Sequence, residues 1–400
     1  MKLMLKRRIN ISILVVIILC STSLYKFAFL GSMQKGLELL GAGIIFLLIV
    51  LHLVYSNQKS IKQNYSLPII LIILALFTST AMAYIAREQR VVFTLFAQRA
   101  MYYYLLYFLL HQLKFDPKDL EKIIIVFGLV YVGLFLLQTV LYPKVLFNAN
   151  IRVDRGTIRI YLPGSVYMAA SFYIALQHFL RSNKFKHLFL LLLIFSIHVM
   201  TGGRQSLAIV VFVTVLFIII DKRVQSRFFL IFLGIVGSFA IFIIFQSIFM
   251  ELFNVSQKNV TMGEEYIRIK ASRYYLTEFF ESPVAYITGN GMYYPHSSYG
   301  KLITLNSIRY HYNLGDIGLI ANYALYGIFF VIGVLIICFK SLFIKINSEH
   351  TYIKYMFLAI ILSLMTSGGF ADSSFICFIT IVLYLIDVSN EKLQLNISKQ

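Results

Sequence analysis

Charge is scarce in this 400-residue chain. Asp, Glu, Lys and Arg make up 13% of it, against 59% hydrophobic residues, too few to solvate a water-soluble domain of this size. Cysteine is scarce too: Cys20, Cys338 and Cys377 all lie inside apolar runs, which excludes a disulfide framework and a zinc site. There is no D-x-D motif and no acidic cluster suited to Mg²⁺, so no metal or other cofactor is expected. The two halves share no internal similarity of the kind common in transporters. No small-x-small cleavage site follows the first apolar run, which is read as a membrane span and not as a removed signal peptide.

What is present is a series of apolar runs near 20 residues, each long enough to cross the ~30 Å hydrocarbon core as a helix. They fall at 10–30, 36–55, 66–86, 91–113, 123–142, 162–180, 187–202, 204–220, 228–249, 315–339, 353–371 and 373–388. Gly202-Gly203 and the SGGFAD stretch are the two breaks on which this reading rests; merging the runs on either side of each gives ten spans instead of twelve. The predicted fold class is all-α: a single polytopic membrane domain over 1–400 with about 12 transmembrane helices and one large external loop, 250–314. The bilayer is its first partner.

The net charge of +19 does not point to nucleic acid, because of how it is distributed. Basic residues gather at the N-terminus (Lys2, Lys6, Arg7, Arg8) and in alternate short connections: Lys59 and Lys62; Lys114, Lys118 and Lys122; Arg181, Lys184 and Lys186; Lys222, Arg223 and Arg227; Lys340, Lys345 and Lys354. The positive-inside rule places these segments, and both termini, in the cytoplasm. Ten arginines then fall on the other side: Arg87, Arg90, Arg99, Arg152, Arg155, Arg159, Arg204, Arg268, Arg273 and Arg309. One reading is pairing with Asp154, Glu264, Glu265, Glu278 and Glu281, with Glu264 and Glu265 at helical spacing from Arg268. The other is a basic basin for an anionic ligand, since the arginine fork binds phosphate bidentately. Arg204, in TGGRQ between two apolar runs, either faces an aqueous cavity or snorkels to the headgroups.

The densest polar stretch is Arg268 to Gly327. It predicts a short helix carrying Arg268 and Arg273 and stopping at Ser282, before Pro283. A Gly289-Asn290-Gly291 turn follows, then Tyr293, Tyr294 and His296, then HYNLGDIG leading into an apolar run. Asp316, His311 and His296 are candidate general bases, although Asp316 and Asn313 could equally cap the next helix. Tyr274, Tyr275, Tyr286, Tyr293, Tyr294, Tyr299, Tyr310 and Tyr312 crowd this loop, fitting either an interfacial belt or a groove for sugar rings. Tyr102-Tyr103-Tyr104 reads as packing of a span.

Three segments resemble the bacterial O-antigen polymerase and O-antigen ligase-like membrane proteins, in that family's order. TGGRQSLAIVVF is similar to a Ser/Thr-x-x-Arg-Gly segment opening a helix, with Gln205 in place of the small residue. RIKASRYYLTEFFESPVAYITGNG is similar to an Arg, an amphipathic helix, a Pro and a Gly-x-Gly turn, which selects Arg268. DIGLIANYALYGIFFVIG is similar to the closing helix. Ligase-like members carry a His about eleven residues before the first helix glycine, Gly327 here. Asp316 holds that place and His311 lies five residues earlier, a pattern closer to the repeat-unit polymerases.

The resemblance implies glycosyl transfer at the outer face of a bacterial cytoplasmic membrane. The donor would be an oligosaccharide on undecaprenyl pyrophosphate, the acceptor a hydroxyl of another lipid-linked repeat unit, and a chain-length regulator a possible partner. It implies Arg204, Arg268 and Arg273 as pyrophosphate ligands, Asp316 or His311 as catalytic base, and Tyr293, Tyr294 and His296 as saccharide contacts. A ligase passing a finished chain to a lipid or protein, and a flippase of lipid-linked sugars, are the alternatives.

Overall fold

A computed structural model describes residues 2–55, 62–154, 157–182, 184–221 and 261–397, with isolated positions between 243 and 257. The expected span 228–249, with Lys59, Arg155, Lys222, Arg223 and Arg227, lies outside the described residues or is only sparsely covered by them, as is the first part of the 250–314 loop.

The described chain is helical apart from one hairpin. Its helices are α1 (Lys2–Ser21), α2 (Met33–Tyr55), α3 (Ser66–Arg87), α4 (Val91–Ala97), α5 (Leu106–Leu113), α6 (Pro117–Leu141), α7 (Ser165–Ser182), α8 (Phe185–Met200), α9 (Arg204–Ile220), α10 (Ile267–Thr277), α11 (Ala285–Thr288), α12 (Ser298–Tyr310), α13 (Gly318–Phe343), α14 (Tyr352–Ser363) and α15 (Ser373–Ile397). Five are long and apolar enough to cross a membrane, namely α2, α3, α6, α13 and α15; α8 and α9 are shorter apolar helices. This is a membrane-embedded helical architecture.

Several expected boundaries differ. The first helix ends at Ser21 and short 3-10 turns follow it. The 91–113 run is broken, with a 3-10 segment Arg99–Leu105 between α4 and α5. There Tyr103 and Tyr104 are fully buried, and their hydroxyls donate to the carbonyls of Glu38 and Phe370. The 353–371 run is helical only to Ser363. Both anticipated breaks exist: Gly202, at φ 62°, separates α8 from α9, and Gly369–Ala371 forms a 3-10 turn before α15. The hairpin was not anticipated. β1 (Asn150–Asp154) pairs antiparallel with β2 (Thr157–Tyr161), with Arg152 opposite Arg159.

The core forms around α15. Its sequence is apolar on every side (SSFICFITIVLYLI), the pattern of a helix surrounded by other helices, and Ile376 to Ile386 is almost wholly buried. The connections sort into two ends. At one end Arg7 forms a bidentate pair with Asp119 at 2.6 and 2.7 Å, and Asn64 bonds Asp387 at 2.8 Å. Arg181 bonds the Ser348 carbonyl there as well. At the other, Ser373 Oγ donates to Ser21 O at 2.7 Å, Arg99 pairs with Glu38 at 2.5 Å, and Leu319 N–H donates to Leu364 O at 2.9 Å. The first end carries the basic connections. The second carries the polar stretch 268–316.

Candidate active site

The site is assembled on the break in α13. Gly327 has φ 75° and ψ −169° inside the helix, a conformation open essentially to glycine alone. The turn Gly289-Asn290-Gly291 packs into that break. Asn290 N–H and Gly291 N–H donate to the carbonyls of Ala324 and Leu325 at 2.9 and 2.7 Å, so the interrupted ladder regains partners. A side chain on Gly327 would place Cβ 2.2 Å from Ile287 O, and one on Gly289 would stand 2.5 Å from Leu325 O. The Gly-x-Gly turn and the helix glycine are therefore two halves of one joint. Irregular backbone at this depth is tolerated because it is buried in protein.

Gln89 fixes the segment that follows. It is 2% exposed; its amide donates to Met292 O at 2.8 Å, and its oxygen accepts from Tyr294 N–H at 2.8 Å and Ser297 Oγ at 2.7 Å. The clamp stacks Tyr294 on Phe93 at 4.9 Å and sets His296 edge-on to Tyr294 at 5.6 Å. Tyr293 lies edge-on to Tyr299 at 6.2 Å. Burial pushes the Tyr293 and Tyr299 hydroxyls above their usual range, leaving both as neutral phenols that cannot serve as bases near pH 7.

The helix bearing the arginines is shorter than expected. α10 ends at Thr277, five residues before Ser282, because Phe279 turns inward and is 1% exposed, its N–H bonding Tyr274 O. Its start matters more. Glu264 and Glu265 sit in a separate 3-10 turn ahead of the cap residue Tyr266, so helical spacing to Arg268 does not apply. Glu265 pairs with Lys270 and Glu264 with Arg273. Arg268 reaches Asp316 instead, at 3.7 Å.

That contact is too long for a hydrogen bond. With the two side chains 39% and 52% exposed, it is a loose ion pair worth about 0–1 kcal/mol. Asp316 does not cap α13; Asn313 stands at the N-cap of the 3-10 turn before it but gives no side-chain cap bond, its side chain accepting from Ser307 instead. His311 closes α12 in the left-handed conformation, φ 57°, with its N–H on Asn306 O, which makes it a helix terminator exposed at the surface.

Arg204 opens α9 beside Gly203. Its turn is held by Arg159 of β2, 8% exposed, whose Nε donates to Thr201 O at 3.1 Å and whose guanidinium lies 5.1 Å from the Tyr161 ring. Gln205 donates to Leu362 O at 3.3 Å, and Leu319, three residues past Asp316, takes Leu364 O. The end of α14 thus links the Arg204 turn to the Asp316 turn. Of the other exterior arginines, Arg87 is structural. It pairs with Glu281, donates to Phe279 O and lies between the Phe279 and Tyr299 rings at 4.9 and 5.2 Å. Arg99 is held by Glu38. Carboxylates thus take up Arg87, Arg99 and Arg273, and Arg268 stands against Asp316.

An apolar groove of about 360 Å³ is lined by Leu276 of α10, by Leu319, Ile320, Tyr323, Ile328 and Val331 of α13, and by Met365. Its α13 residues run from Leu319, three residues past Asp316, to Val331. Compared with known proteins, the chain matches no family model and no characterised sequence.

Proposed function

We propose that the chain is a membrane glycosyltransferase that acts on polyprenyl-pyrophosphate-linked saccharides and joins repeat units into a polysaccharide. The observation that carries this reading is the loose, half-exposed Arg268–Asp316 pair, with Asp316 three residues in sequence before Leu319 of the apolar groove. In this reading the isoprenoid chain occupies the groove and its pyrophosphate is held by Arg268 and Arg204. Pyrophosphate is a good leaving group, so the residues need only hold it and stabilise the charge it gains. Binding exchanges one partner of Arg268 for another: the pyrophosphate takes the guanidinium, and the weak 3.7 Å contact releases Asp316. The freed carboxylate accepts the proton of the acceptor hydroxyl as its oxygen bonds to the anomeric carbon and the bond from that carbon to pyrophosphate breaks. The tyrosines positioned by Gln89 offer faces to sugar rings.

The test is the chain-length distribution of polysaccharide from cells expressing each variant at matched levels. Asp316→Asn should leave single repeat units unpolymerised, because general-base assistance contributes about 10²–10⁴ in rate. His311→Gln should retain long polymer. Long polymer from Asp316→Asn would reject Asp316 as base. One observation favours a second reading, export of lipid-linked sugars: the break in α13 resembles the discontinuous helices of transporters. Transport without a new glycosidic bond in the purified system would select it.

A further inference from the structure

Helix α12 (Ser298–Tyr310) carries none of the residues assigned to the reaction, and its outward face does not suit a loop in water. Tyr299, Ile303 and Asn306 are buried on its inner side, while Leu305 and Ile308 are 60% and 69% exposed, with Leu302 exposed beside them. Steps of three residues keep these three apolar side chains on one side of the helix. Thr304, also exposed, turns its hydroxyl back onto Gly300 O at 2.9 Å. Lys301 and Arg309 stand exposed near the two ends, and α12 contains no Asp or Glu.

The anchors of α12 set it beside the ends of two membrane-crossing helices. Its N-cap residue Ser297 donates to Gln89, two residues past the end of α3. The Tyr299 hydroxyl donates to Gly291 O at 3.1 Å, and Gly291 itself lies against α3, where a Cβ would stand 2.6 Å from Ser79 O. Tyr299 and Ile303 share one buried cluster with Ile317, Ala321 and Ala324 at the start of α13. The neighbouring α4 marks where hydrocarbon lies. Its Thr94 is buried and accepts from Gln89 Nε2 at 2.8 Å, whereas Val91, Val92, Leu95 and Phe96 are exposed. Polar residues turned inward and apolar ones outward are the pattern of a segment in contact with lipid. Gln89 bonds Thr94 of α4 and the Ser297 cap alike, so α12 starts at the level of a lipid-facing helix.

We infer that α12 is an interfacial helix seated on the bilayer, at the end opposite the basic connections. Leu302, Leu305 and Ile308 enter the acyl boundary, and Lys301 and Arg309 reach the phosphates of the surrounding lipids. Apolar side chains with basic residues beside them are the composition of helices that lie in this plane, and long basic side chains cover apolar surface while their heads stay with the headgroups. The charge fits lipid phosphate better than a second copy of the chain, whose α12 would bring the same two cations and no anion. The seating also bears on the site. Asn306 Nδ2 donates to the Tyr274 hydroxyl of α10 at 2.9 Å, so the bilayer supports the helix that carries Arg268. The inference holds whichever reaction that site performs.

A nitroxide carried by Leu305→Cys or by Ile308→Cys tests this, on the full chain in nanodiscs of phosphatidylcholine and phosphatidylglycerol. Both substitutions replace exposed side chains and should leave the fold intact, and the native cysteines are buried. The measurement is power-saturation EPR with oxygen, which concentrates among acyl chains, and with a nickel chelate, which stays in water. Oxygen should relax both labels more than the nickel chelate does. Stronger relaxation by the chelate would mean a water-facing helix, and labels that neither reagent reaches would mean a face covered by protein; each overturns the inference. Lys301→Glu with Arg309→Glu, added to either labelled chain, should shift the balance toward the nickel chelate. An unchanged balance would overturn the phosphate contacts.

Discussion

At the scale of single residues, what separates function from scaffold is how firmly each side chain is held. Arg87 and Arg99, themselves largely buried, are held by carboxylates, a carbonyl and rings, whereas among the described residues Arg268 has only a loose, half-exposed partner. Charge in the sequence flagged all of them alike, because a count of arginines carries no information about burial. Arg268 and Asp316 were legible as a pair of candidates, but their contact was not, since they stand on different turns. Gln89 was missed. An uncharged residue at the end of a span gives no signal until the loop that it clamps is in view. Gln89→Leu should strand the Tyr294 N–H and the Met292 carbonyl, a cost of about 1–3 kcal/mol for a buried group left unsatisfied. A lower thermal midpoint in detergent, with weakened saccharide transfer, is the expected outcome; an unchanged midpoint would remove the clamp from the account. At His311 the backbone is what matters. His311→Asn, which tolerates the left-handed conformation, should fold and polymerise normally, while His311→Val should destabilise, as unfolding curves can report.

At the scale of elements, glycine punctuation was read correctly where it broke an apolar run, whereas the helix expected to stop at Ser282, before Pro283, ends at Thr277. Gly202-Gly203 and SGGFAD fall between helices, since neither glycine pairs nor polar turns continue an apolar helix. The interruption of the 91–113 run carries no such mark: Gln98 and Arg99 are ordinary helix residues, and tertiary bonds from Tyr103 and Tyr104 support the 3-10 turn. The hairpin was hidden because NIRVD and TIRIY are too short and basic to stand out. The joint between the Gly289–Gly291 turn and Gly327 makes a sharp prediction. Gly327→Ala adds backbone strain of about 1–3 kcal/mol on top of a 2.2 Å overlap with Ile287 O. Little folded protein should be recovered by size-exclusion chromatography, whereas Gly315→Ala, with open space around it, should behave as wild type. Equal recovery of the two would show that the joint does not carry the fold.

At the scale of the whole molecule, the two ends divide the work. The basic end holds the short connections; the other holds the arginine–aspartate site and the groove. The proposed orientation, with the basic end inside by the positive-inside rule, has the site on the external face. The native cysteines are all buried, so an impermeant thiol reagent meets little background. Ser297→Cys should react in intact cells and Ser348→Cys only after lysis, and the reverse pattern would invert the orientation. The central claim is that Arg268 and Asp316 break the bond between a saccharide and a polyprenyl pyrophosphate. Its most direct measurement is release of polyprenyl pyrophosphate from a labelled lipid-linked repeat unit by the purified, reconstituted chain. Wild-type protein should release it only with an acceptor repeat unit present. Arg268→Lys, which keeps the charge but loses the bidentate fork, should be slower by about 10²–10³, close to Arg268→Ala. Release at the wild-type rate by both variants, or none by the wild type, would contradict the account.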